Sequence, residues 1–184
     1  MKKSFDYFKT LKDLSINVFE SFSCLRDSKA LNKNYLYFLA SKNELSKNLI
    51  DEFVAPIERN DIYILSSCLS EEFNCVVKLC EFLNLSKTDF ENSLRLICSL
   101  FNKQSEIFDF KVLLKAPQRG LGTISDLLSE CKKIKKLIAN ETCDSIYKGN
   151  QPLVFYIIGS SCIETVSTIE RTLNEICRVL INNS

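Results

Sequence analysis

Chemistry needs groups that can attack, or give and take protons, and this chain of 184 residues holds nine cysteines, 23 carboxylates and no histidine. Without histidine the commonest general base and the commonest metal ligand are missing, so His-dependent catalysis is excluded. The cysteines stand at 24, 68, 75, 80, 98, 131, 143, 162 and 177, an odd number with no Cys-x-x-Cys spacing. Neither a zinc site nor a disulfide framework follows from that pattern. Most of them fall in apolar periodic segments, where a free thiol serves as a small hydrophobe. The expectation is reduced core cysteines in a cytoplasmic protein. No nucleophile stands at a recognisable spacing from a base, so the chain is expected not to be an enzyme.

Two further patterns invite a chemical reading and do not sustain it. Gly120-Leu121-Gly122 could turn backbone amides toward a phosphate, but neither the Gly-x-x-x-x-Gly-Lys-Ser/Thr pattern nor a preceding strand accompanies it. Lys132, Lys133, Lys135 and Lys136 lie among Ile134, Leu137 and Ile138, the pattern of one solvated helix face. With 24 Lys and Arg against 23 Asp and Glu the net charge is +1. No overall field draws a phosphate backbone, and no nucleic-acid partner is expected.

The elements that must carry these groups are helical. Four Gly and three Pro leave little material for β-turns. From Phe5, apolar residues Phe8, Leu11, Ile16, Phe19 and Phe22 recur at helical spacing. The same spacing predicts a second helix from about Leu31 to Val54, closed by Pro56, and a third from near Glu58 through Leu83. Thr88-Asp89-Phe90-Glu91 has the form of a capping box and opens a fourth toward Phe108. Residues 109–122 are expected to be a loop. A fifth helix then runs to Gly149, and a sixth follows Pro152. The longest apolar run, Leu153 to Ile158, is far short of the roughly 20 residues of a bilayer span. The N-terminus lacks the apolar core of a signal peptide. No direct membrane insertion is expected.

The halves of the chain echo each other. Tyr156-Ile157-Ile158-Gly159-Ser160-Ser161 is similar to Tyr63-Ile64-Leu65-Ser66-Ser67-Cys68, 93 positions earlier, and each segment leads to a glutamate at the same place, Glu164 and Glu71. That offset also sets helix one against four and helix two against five. The expected fold is all-α: one domain over 1–184, a six-helix antiparallel bundle of two three-helix repeats at about 4–85 and 88–182.

Phe53-Val54-Ala55-Pro56-Ile57-Glu58-Arg59-Asn60-Asp61-Ile62-Tyr63-Ile64-Leu65 resembles the Phe-Ile-Thr-Pro-x-Asp-Arg-Glu-Asp-Ile-Tyr-x-Leu signature of the PhoU-like proteins, accessory or regulatory partners of Pit-type inorganic phosphate transporters. On residue chemistry alone, Pro56 fixes a turn, Asp61 complements a helix start, and Arg59 offers five donors to a carboxylate or a helix end. Tyr63 completes the motif. The resemblance implies a PhoU-like pair of repeats and a non-enzymatic regulator docked on a Pit-type phosphate transporter at the cytoplasmic face. It also implies association with the membrane through that partner, and a homodimer. The alternative is a degenerate PhoU-like scaffold with protein interaction as its only function.

PhoU relatives hold multinuclear metal clusters on paired acidic motifs, because carboxylates at helical spacing supply hard oxygen ligands from one face. Here the expected Leu-Asp-Asp-x-x-Asp reads Leu69-Ser70-Glu71-Glu72-Phe73-Asn74, and in the second half Glu164 is followed by Ser167 and Thr168. Tyr35-Leu36-Tyr37-Phe38-Leu39 carries no carboxylate on helix two, and Glu130 alone remains on helix five. No cofactor is therefore expected, with a divalent or iron-type metal on Glu71, Glu164 and Glu130 as the candidate exception.

Overall fold

A computed structural model describes residues 5–51, 55–85, 90–148 and 151–183. They form seven helices and no strand: α1 Tyr7–Ser23, α2 Ser28–Asp51, α3 Arg59–Leu85, α4 Glu91–Ile107, α5 Phe110–Leu113, α6 Pro117–Lys148 and α7 Pro152–Asn182. Aspartates begin the first two. The Asp6 carboxylate accepts from Lys9 N at 3.1 Å, and Asp27 Oδ1 accepts from the amides of Lys29 and Ala30, both at 3.0 Å. Amides that have no intrahelical acceptor are thereby satisfied. The expected capping box at Thr88 and Asp89, the signature's Phe53 and Val54, and the stop at Gly149 lie outside the described residues.

Cross-helix contacts give the directions. Lys12 meets Asp109 while Ser23 meets Cys98, so the ends of α1 and α4 run opposite ways. Lys103 meets Glu130 and Ser93 meets Glu141 across α4 and α6. Ser28 lies by Asn84, and Phe38 by Phe73, across α2 and α3. Glu71 pairs with Arg171 and Lys78 with Glu164 across α3 and α7. Each of these neighbours is antiparallel. α7 sits in the middle, against α3, α4 and α6, and buries Ile158, Cys162, Val166, Ile169, Leu173 and Ile176. By length and composition α7 is the one helix among the described residues apolar enough to cross a bilayer. In this fold its apolar residues from Ile158 to Leu180 mostly line a protein core, while Leu153, Tyr156 and Ile181 are exposed.

The expected loop at 109–122 is a correction. Pro117 opens α6, and Gly120 and Gly122 are helical. Proline at a first helical position gives up no hydrogen bond, because that amide has no acceptor within the helix. The true break is short: Phe110 in the one-turn α5 is fully buried, its ring stacked on Phe8 at 5.6 Å and edge-on to Phe108 at 5.9 Å. No glycine among the described residues has positive φ, so none serves a left-handed turn. Gly122 is exposed, and nothing lies within 4 Å of where a Cβ would stand. Gly122→Ala should therefore raise stability by about 0.5–1 kcal/mol, read as a higher midpoint in urea with unchanged slope.

Gly159 has the opposite surroundings. α7 lies so close to α6 there that an added Cβ would come within 2.6 Å of Thr142 Cγ2 and 2.9 Å of Thr142 Cβ. The residue is an approach point between two long helices.

Candidate functional site

The signature residues meet at the turn into α3. Pro56 is exposed in the bend before the helix, Arg59 opens the helix on the surface, and Tyr63 projects one turn in, 60% exposed. Asp61 points the other way and is fully buried. Its Oδ1 accepts from Arg178 Nη2 of α7 at 2.7 Å, and the same guanidinium gives Nε to Glu175 at 2.8 Å. Asp61 Oδ2 is buried with no partner. The motif thus ties the start of α3 to the end of α7 through a charge-assisted bond, and leaves Arg59 and Tyr63 facing outward.

Glu71, Glu164 and Glu130 do not converge. Glu71 pairs with Arg171, Glu164 with Lys78 at 3.2 Å, and Glu130 takes both its bonds from Lys103 at 2.7 and 2.8 Å. Each carboxylate is partly exposed and matched with a cation on a neighbouring helix. Among the described residues no three His, Cys, Asp or Glu side chains gather as a metal ion would require. Two of these pairs are related. Glu71 and Glu164 are 93 positions apart, and so are their partners, Lys78 and Arg171, so one pair repeats the other with the helices exchanged.

The carboxylate next to Glu71 holds the least ordinary position in the fold. Glu72 is completely buried, between α3, α4 and α7. Its Oε1 accepts from Gln104 Nε2 at 2.6 Å and from the Thr172 hydroxyl at 2.5 Å. Glu72 Oε2 and Gln104 Oε1 are both buried without a partner. Two neutral donors replace little of the hydration an ionised carboxylate loses. Burial pushes the Glu72 carboxyl up to about 7, against the opposing pull of the Thr172 and Gln104 bonds and of Arg171. Protonated, Glu72 gains one O–H, the donor that an acid and a carboxamide facing each other otherwise lack. Protonation turns the orphaned Glu72 Oε2 from an unpartnered acceptor into a donor.

Five of the nine thiols, Cys68, Cys75, Cys80, Cys131 and Cys162, are core residues as expected. Burial pushes Cys131 and Cys162 up to about 12 and Cys68 to about 11. Cys24, Cys98 and Cys177 are only half-buried and Cys143 is exposed, so the core-filling reading does not cover them.

Sequence reasoning passed over Glu72, Gln104 and Thr172. The signal was present: Leu65, Leu69, Val76 and Leu79 step by three and four along one stripe of α3, and position 72 falls on it. A carboxylate on an apolar stripe marks either a buried polar group or a break in the helix face. The structure holds it buried.

No protein-family model matches the chain, and no curated protein matches it.

Proposed function

We propose that this protein is a non-enzymatic regulator or accessory protein of inorganic phosphate transport, a PhoU-like bundle of two three-helix repeats that docks on a Pit-type transporter at the cytoplasmic face. The observation that carries the reading is the arrangement of the signature segment. Its Pro56 turn leads into α3, its Asp61 anchors that helix to α7, and Arg59 and Tyr63 face outward. The repeated ion pairs between α3 and α7 support the two-repeat arrangement. So does the scheme of helix neighbours, which is unchanged when α1, α2 and α3 are exchanged with α4, α6 and α7. On α2, Leu36 and Tyr37 are 61% and 53% exposed, an apolar face for a membrane-bound partner rather than for the protein's own core.

A second reading, a degenerate PhoU-like scaffold with protein interaction as its only function and no metal site, is favoured by the cations that occupy Glu71, Glu164 and Glu130. One experiment addresses both. Deleting the gene should change phosphate uptake by cells, and tagged protein should retain a Pit-type transporter that Leu36→Asp with Tyr37→Asp releases. Unchanged uptake with no transporter retained overturns the first reading. Stoichiometric metal in the purified protein, lost in Glu71→Ala, overturns the scaffold reading alone.

A further inference from the structure

Where α1 ends, a cleft of about 610 Å³ opens between the chain leaving the helix and α4. Nine residues line it, among them two thiols, Cys24 and Cys98, and two guanidinium groups, Arg26 and Arg95. Both cysteines are free and half-buried, reachable from solvent yet held against the fold. Cys98 Sγ lies 3.7 Å from Ser23 Oγ, the residue that immediately precedes Cys24. Cys24 is the cap that follows the last turn of α1 and lies outside its run of helical residues. Asp27, the carboxylate lining the same cleft, is committed to the amides that begin α2. Among the described residues no carboxylate pairs with Arg26 or Arg95. The cleft thus brings two solvent-reachable thiols to one place.

We propose that Cys24 and Cys98 are a redox-responsive pair, oxidised by a hydroperoxide to a disulfide that ties the end of α1 to α4. The Cys98 thiolate attacks the peroxide: an S–O bond forms, the O–O bond breaks, and the leaving oxygen takes a proton to become water. The Cys24 thiolate then attacks the sulfenic sulfur; the S–S bond forms, the S–O bond breaks, and the departing hydroxide takes a proton to become a second water. Two thiols lose two electrons and two protons, and one hydrogen peroxide becomes two waters. A disulfide requires Cα atoms about 4.4–6.8 Å apart. Cys24 is the cap of α1 and Cys98 lies within α4, and the contact of Cys98 Sγ with Ser23, the residue before Cys24, brings the two chain segments together at that point.

The remaining thiols differ in kind. Burial pushes Cys68, Cys75, Cys80, Cys131 and Cys162 up, and the half-buried Cys177 with them. Cys143 is exposed on α6. The test is peptide mapping without reductant after exposure of the folded chain to hydrogen peroxide, with Cys143→Ser as background to prevent bridges between copies. The expected product is a peptide containing Cys24 linked to one containing Cys98, released by dithiothreitol and absent from Cys24→Ser. Oxidation of Cys98 to a sulfinic acid with no bridge, a bridge between other cysteines, or two thiols that survive peroxide unchanged would each overturn the proposal.

Discussion

Glu72→Gln is expected to flatten the pH dependence of stability, leaving the variant about 3 kcal/mol more stable than the parent at pH 8. Burial sets the Glu72 carboxyl at about 7 in the folded bundle, against an ordinary value of 4.5. The folded value lies above the unfolded one, so the native state holds the proton more tightly. That contribution is whole below pH 4.5, declines as pH rises, and is gone once pH passes about 7. Glutamine keeps an oxygen for Gln104 and Thr172 and puts a permanent N–H donor where the acid has a removable one, so it imitates the protonated side chain at every pH. The charged groups around position 72 are few. Arg171 and Glu71 act on it with opposite signs, and the thiols Cys68 and Cys75 are near neighbours on its own helix. α4 contributes the neutral Gln104, and α1, also packed on α3, contributes Leu11, Leu14 and Val18 to the core. Denaturant unfolding of both proteins from pH 4.5 to 8 provides the check. Parallel curves would sink the assignment.

Gly159→Ala is expected to destabilise the fold by about 2–3 kcal/mol, although alanine ordinarily improves a helix. The new methyl would meet the Cγ2 and Cβ of Thr142, and Cβ cannot swing away. Thr142 is nearly buried, and its hydroxyl is bonded to Ile138 O at 2.7 Å, which discourages another rotamer. The two helices must therefore separate, along the most extensive helix contact among the described residues. Combining Gly159→Ala with Thr142→Ala removes Cγ2 and should recover about 1 kcal/mol or more beyond additivity in a double-mutant cycle. Strictly additive losses would locate the damage elsewhere. Gly122→Ala is the matched control, since the same substitution in open space should stabilise.

Much of the helical layout could be read from spacing alone, because 3.6-residue periodicity is a direct consequence of burying one face. The six long segments were legible in that way, and Pro56 and Pro152 marked real boundaries. Residues 109–122 were misread for a physical reason. Gly120 and Gly122 look like turn residues, yet α6 begins at Pro117, and the chain reverses on the buried aromatic ring of Phe110. Aromatic anchoring leaves no turn signature in sequence. The candidate site was legible only in outline. Glu71 and Glu72 are neighbours in sequence but about 100° apart around the helix. One rotates to the surface and Arg171, the other to the core and Gln104. A motif register chooses between them only by analogy, whereas the apolar stripe chooses by geometry. The cysteines divide likewise, since spacing cannot tell the seams of the bundle from its ends.

The charges between α3 and α7 bear on how the chain avoids a misassembled form of itself. A slip of one heptad, about 10 Å along the axis, keeps apolar residues facing apolar residues, so burial alone discriminates weakly against it. In one direction the slip sets Glu71 beside Glu164. In the other it sets Lys78 beside Arg171 and leaves Asp61 buried without its guanidinium. The surface pairs add little to the native energy on their own. Their arrangement acts chiefly as a ruler: each nearest slip sets one pair of like charges side by side, and only the native register pairs Asp61, Glu71 and Lys78 all at once.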